Sequence, residues 1–189
     1  MKHDAKMQYL RDMFCRSNLY QLILLLLSSL FISCKKDKQF PKEPFIEFKE
    51  FSQILDRNGK DSVGNLHVYF TDGDGDFGLS PADTFAPFNR GSKNYYNFFI
   101  NYYEKQNGNW IRIVNPAITP GGDTLANHSR IPNLTPAGQN KTLEGDIYMS
   151  LFTNNPFSTF DTIRFEVTIS DRALNRSNQI QTPEIILNK

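Results

Sequence analysis

The chain is poor in the residues that most catalytic and metal chemistry requires, with 2 Cys, 3 His and 1 Trp among 189 residues. Neither cysteine lies beyond residue 34, so the long C-terminal part has no disulfide framework, no Cys-x-x-Cys motif and no catalytic thiol. Beyond that point only His67 and His128 remain, and no Gly-x-Ser-x-Gly or His-Glu-x-x-His pattern occurs. A carboxylate pair such as Asp161 and Glu166 lacks any sign of a cleft, so the sequence predicts a protein that is not an enzyme. Charge of one sign is missing too, because 21 Lys and Arg are interspersed with 20 Asp and Glu. Without a concentrated basic face, nucleic acid is excluded as a partner. The longest apolar segment, Leu22 to Ile32, falls well short of the roughly 20 residues that cross a bilayer. Helical stripes are absent throughout the region beyond it.

What stands around that short apolar segment is informative. Ser33-Cys34 follows it, and then the polar run Lys35-Lys-Asp-Lys-Gln39. The arrangement resembles a bacterial lipoprotein signal peptide, cleaved before a cysteine that becomes thioether-linked to a diacylglycerol and N-acylated. An ordinary secretory signal with a chance cysteine is the plainer alternative. The resemblance implies that residues 1–33 are removed, that Cys34 is the lipidation site, and that 34–44, with Pro41 and Pro44, is a lipidated tether. At about 0.8 kcal/mol per buried CH₂, several acyl chains make a lasting membrane anchor. Met13 offers a more usual start than Met1, with Arg16 alone ahead of the apolar run. Loss of Lys2, Lys6, Arg11 and Arg16 with Asp4 and Asp12 takes the formal charge from +1 to near −1.

From Phe45 to Lys189 the pattern is apolar alternation at period two, broken by Gly, Asn, Asp and Pro. Strands are expected at Phe45–Phe51, Ser62–Phe70, Tyr95–Lys105, Trp110–Val114, Thr142–Leu151, Thr162–Ser170 and about Gln179–Leu187. Asn58-Gly59 and Asn107-Gly108 read as hairpin turns. Pro183 places the last strand at a sheet edge, because proline cannot donate to a ladder. About seven strands without helices predict an all-β, immunoglobulin or fibronectin III-like antiparallel sandwich over residues 45–189, with a closed barrel as the alternative. Two connections, Thr71 to Asn94 and Asn115 to Lys141, are long enough to carry function.

The first of these holds Asp72-Gly-Asp74-Gly-Asp76-Phe-Gly78. Carboxylates at alternate positions converge on something positive, and calcium, which takes six to eight oxygen ligands, is the candidate cofactor. Asp83 falls at position 12 of such a loop, but Phe77 occupies the position where an EF-hand needs glycine. A metal-free Gly-rich turn, its Asp side chains bonding their own backbone, is the competing reading. In an immunoglobulin topology the turn Asp171-Arg-Ala-Leu-Asn-Arg-Ser-Asn178 emerges at the same end. Asp171 is thus a further candidate ligand, and Arg172 or Arg176 a candidate neutralising cation.

The segments Phe70-Thr-Asp-Gly-Asp-Gly-Asp-Phe-Gly-Leu79 and Phe165-Glu-Val-Thr-Ile-Ser-Asp-Arg-Ala-Leu-Asn-Arg-Ser-Asn178, behind a lipidated Cys34, together resemble small uncharacterised lipoproteins of Bacteroidota. The resemblance spans about residues 45–189 and implies an extracytoplasmic Ig-like domain with no activity to carry over. It also implies O-glycosylation at Asp followed by Ser or Thr, which three segments fit, at Ser62, Thr124 and Thr162. Lys35 and Lys36, where surface-export signals of that group are acidic, favour the periplasmic face of the outer membrane over the cell surface.

Rings alternate with amides on one face of the third strand, Tyr95, Asn97, Phe99, Asn101 and Tyr103. Two roles follow. One is a structural or accessory protein that contacts another envelope protein and carries a calcium-fixed loop. The other is a carbohydrate-binding module that stacks a glycan on Tyr95, Phe99 and Tyr103.

Overall fold

A computed structural model describes residues 38–113, 127–135 and 142–189. Residues 1–33, Cys34 and Thr124 lie outside these. The eight strands are β1 (Phe45–Leu55), β2 (Asp61–Asp72), β3 (Phe98–Gln106), β4 (Asn109–Arg112), β5 (Leu143–Phe152), β6 (Thr162–Ile169), β7 (Ile180–Gln181) and β8 (Ile185–Ile186). Every pairing is antiparallel, in the sheets β1-β2-β5 and β4-β3-β6-β7, with β8 also on β6. In immunoglobulin lettering these are A-B-E and C′-C-F-G, and among the described residues there is no helix. The chain is an all-β sandwich.

Period-two alternation builds the core. On β6, Ile163, Phe165, Val167 and Ile169 are fully buried while the residues between them are half-exposed. They meet Leu66, Val68 and Phe70 of β2 and Phe98, Ile100 and Tyr102 of β3. The Phe51 and Phe165 rings, one from each sheet, sit 5.5 Å apart. Each such side chain contributes about 1.5–3 kcal/mol by leaving water. The two sheets are therefore held chiefly by apolar burial, supplemented by side-chain bonds such as Gln53 Nε2 to the Ile186 carbonyl at 2.8 Å, with no disulfide among the described residues.

Both expected hairpin turns form. Asn107 and Gly108 take φ of 51° and 84°, the left-handed pair that a two-residue turn between right-twisted strands needs. Three expectations shift. β1 continues to Leu55 through a bulge at Phe48/Glu50. β3 starts at Phe98 and not at Tyr95, because Asn97 is diverted: its Oδ1 accepts from the Ile131 amide at 2.7 Å and its Nδ2 donates to the Ile131 carbonyl at 3.2 Å. Tyr96 consequently lies outside the core, 37% exposed. The last strand is two short pieces flanking Pro183, between which Thr182 bonds Phe165, amide to carbonyl at 2.9 Å and hydroxyl accepting the Phe165 amide at 3.0 Å. It lies at the sheet edge, as proline requires.

One charge is buried in the core phase of β3. Glu104 is fully buried, and its carboxylate accepts from Asn155 Nδ2 at 3.0 Å, Gln106 Nε2 at 3.0 Å and Ser158 Oγ at 2.7 Å. These bonds tie the connection after β5 to the end of the sandwich remote from Asp72.

Candidate metal centre

β2 delivers Asp72 to the rim of the sandwich with its side chain fully buried. The chain then turns sharply. Asp72 Oδ1 accepts from the Gly75 amide at 2.8 Å, which folds the turn and brings Asp74 and Asp76 back towards Asp72. Phe77 anchors the far side, wholly buried with its ring 5.0 Å from that of Phe70. Gly78 follows at φ 103°, where a Cβ would meet the Pro132 carbonyl oxygen at 2.1 Å. Only glycine lets the loop close on residues 131–134, through Leu79 N to Ile131 O at 2.9 Å and Asn133 N to Leu79 O at 3.2 Å.

The result is one carboxylate oxygen each from Asp72, Asp74 and Asp76, all within 4.8 Å of one another. Oxygens around a cation at 2.3–2.6 Å span at most about 5 Å, so the spacing suits a single ion. Asp72 Oδ2, Asp74 Oδ1 and Asp76 Oδ1 are buried and have no hydrogen-bond partner. A buried acceptor left so costs about 1–3 kcal/mol, and more when charged. Burial, opposed by the Gly75 amide and reinforced by the charges of Asp76 and Asp74, pushes the Asp72 carboxyl up to about 7. Asp76 is raised by burial and then by Asp171 and Asp74, and Asp171 by burial ahead of the charge of Asp74. The Asp72, Asp74 and Asp76 group can hold a metal ion.

Asp171 lies beside this group, as the topology implied, in an isolated bridge with Phe77. Its oxygens are engaged in closing their own turn, accepting the Asn175 amide and Nδ2 at 2.8 Å each. It lends the site charge more than a free ligand atom. The same turn is stapled to Asp76, whose Oδ2 accepts the Ala173 amide at 3.1 Å and whose carbonyl accepts the Arg172 amide at 3.3 Å. Asp83 stands outside the converging group. Arg172 holds both of its oxygens, at 2.5 and 3.1 Å, and Oδ2 also accepts the Ser80 amide at 2.6 Å. Burial works against ionisation there, yet the guanidinium and the Ser80 amide keep the Asp83 carboxyl below its ordinary value.

Several contributors carry no motif. Arg130 donates to the carbonyls of Tyr95 at 2.6 Å, Asp83 at 3.2 Å, Phe88 at 3.4 Å and Ser80 at 3.4 Å, stitching the long loop that presents Asp83. Asn178 clamps the start of β1, with Oδ1 accepting from Ile46 N and Nδ2 donating to Ile46 O, both at 2.8 Å. Only the side-chain amide of Asn178, so near the recognised turn, hinted at this.

The aromatic residues are arranged differently from a stacking platform. Tyr95 lies off the strand with the Arg130 guanidinium 4.8 Å from its ring centre. Arg176 lies 4.1 Å over Phe99, and Arg164 sits between Tyr103 at 5.4 Å and Trp110 at 4.4 Å. His128 meets Phe99 edge-on at 5.5 Å. Of the glycosylation candidates, Ser62 is half-buried within β2, and the Thr162 hydroxyl donates to Asp161 Oδ1 at 2.9 Å.

Compared with known proteins, the chain matches no family model, no curated protein and no solved structure.

Proposed function

We propose that the chain is a membrane-anchored lipoprotein, held by acyl groups on Cys34, whose Ig-like sandwich is a non-catalytic accessory module stabilised by calcium. The observation that carries the reading is the trio of buried, unpartnered oxygens of Asp72, Asp74 and Asp76. A purely structural turn would use its Asp side chains on its own backbone; here Asp72 Oδ1 does so through the Gly75 amide, while Asp76 Oδ2 bonds the neighbouring turn and three carboxylate oxygens stay unpartnered. Calcium is favoured over magnesium because the donors are carboxylate oxygens in an irregular loop, which a larger ion with flexible coordination tolerates. The ion fixes the loop against the β6–β7 turn. An envelope protein outside the inner membrane meets calcium continuously, so a weak site is occupied as a structural element.

The carbohydrate-binding alternative loses support from the rings themselves. Tyr95, Phe99 and Tyr103 each have a guanidinium over one face and are half-buried, which leaves less open ring for a sugar to stack on. An accessory role is tested by recovering the natively expressed chain from detergent extracts of the envelope in calcium and in chelator. Retention of an envelope protein in calcium, lost on chelation, supports the role. Identical recoveries without any retained protein contradict it.

A further inference from the structure

The segment that leads into β1 packs against the metal loop itself. The Gly73 amide donates to the Pro41 carbonyl at 2.8 Å, and the Thr142 hydroxyl donates to the Gly73 carbonyl at 3.1 Å. A Cβ at Gly73 would lie 2.2 Å from the Phe40 carbonyl oxygen and 2.4 Å from that of Pro41. The two backbones thus meet closely only because residue 73 has no side chain. Gly73 stands between Asp72 and Asp74, two of the three converging carboxylates. Downstream, Pro44 is buried and Ile46 is clamped by Asn178.

We propose that a divalent cation held by Asp72, Asp74 and Asp76 latches the entering segment Phe40–Pro44 to the sandwich, so that metal occupancy sets how firmly that segment is docked. This rests on the metal reading given under the proposed function. Without the cation, repulsion among the carboxylates favours opening of the turn, and opening withdraws the Gly73 amide from Pro41. With the cation, Gly73 is held from both sides and the bond to Pro41 persists. Coupling of this kind is reciprocal: whatever factor calcium adds to docking of the segment, docking adds to calcium affinity.

The test uses the full natively expressed chain in detergent and follows Lys-C cleavage after Lys42, an exposed residue inside the latched segment, by mass spectrometry. Cleavage after Lys60, exposed in the turn at the opposite end, is the internal control. Calcium is expected to slow cleavage after Lys42 by about tenfold, within the roughly 5–150-fold range of such couplings, and to leave Lys60 unchanged. Gly73→Ala is expected to be cut rapidly after Lys42 with or without calcium, and to bind calcium about tenfold more weakly. Pro41→Gly leaves the loop sequence intact and loosens only the segment, so it should lose affinity in the same direction even where the alanine variant folds poorly. Calorimetric heat of calcium binding with no change at Lys42 overturns the latch and leaves the metal site standing. Absence of heat in the wild type removes both.

Discussion

Replacing Asp72 with asparagine should stabilise the metal-free protein and abolish its response to calcium. Asparagine keeps an oxygen to accept the Gly75 amide, so the turn retains its bond, while one negative charge leaves a fully buried position beside Asp74 and Asp76. The Asp72 carboxyl is pushed from 3.8 to about 7, by burial first and by its acidic neighbours next. The folded state therefore holds this proton more tightly than the unfolded chain. Stability is fully present below about pH 4, declines as pH rises, and is lost once pH passes about 7. At 1.36 kcal/mol per tenfold in proton activity the full difference is roughly 4 kcal/mol, and relaxation with water entry lowers it to about 2–4 kcal/mol. For a domain of this size that is a rise of roughly 5–10 °C in Tm at pH 8 for Asp72→Asn in chelator, shrinking to near nothing at about pH 4. Calcium at about 5 mM should then stabilise the wild type alone, by about 2 kcal/mol for a Kd near 0.1 mM, and close most of the gap. The assay is differential scanning calorimetry at both pH values, with calcium and with chelator. A variant no more stable than wild type at pH 8 refutes the reasoning, since that is what a self-bonded turn without a cation site gives.

Other perturbations follow from the same geometry. Phe77→Ala, which removes a fully buried ring packed on Phe70, should cost about 3–5 kcal/mol in chemical denaturation and weaken calcium binding with it. A loss under about 1 kcal/mol would show that Phe77 does not anchor the loop. Glu104→Ala leaves the buried amide of Asn155 and the half-exposed Gln106 amide and Ser158 hydroxyl without their acceptor, and should cost about 3–5 kcal/mol without altering calcium affinity. Cys34→Ser should move the natively expressed chain from the membrane to the soluble fraction; unchanged membrane recovery would rule out the lipid anchor.

Much of the fold was legible because its causes are local. The phases of Leu66, Val68 and Phe70 and of Ile163 through Ile169 survive burial unchanged, and Asn107-Gly108 turns as its residue types require. The meeting of Asp171 with the acidic loop was legible at one remove, through topology, since sandwiches with this strand order bring those two connections to one end. What the sequence hid were long-range pairings. Nothing in the spacing says that Arg172 claims Asp83 and so removes it from the carboxylate trio. Nor does spacing say that Asn97 turns aside to bond Ile131 and thereby pulls Tyr95 and Tyr96 off the strand. Glu104 falls in the core phase of β3, but its burial depends on donors from the connection after β5. Gly73 read as turn punctuation, and its close approach to Phe40 and Pro41 is visible only in three dimensions.

Calcium binding by Asp72, Asp74 and Asp76 is the property on which the proposed role depends. Isothermal titration of calcium into chelator-treated protein, beside Asp74→Asn, measures this directly. One ion per wild-type chain is expected, with a Kd of about 10⁻⁴–10⁻³ M as in extracellular calcium modules and a severe loss of affinity in the variant. No heat and no rise in Tm up to about 10 mM calcium, or equal binding by Asp74→Asn, would contradict it.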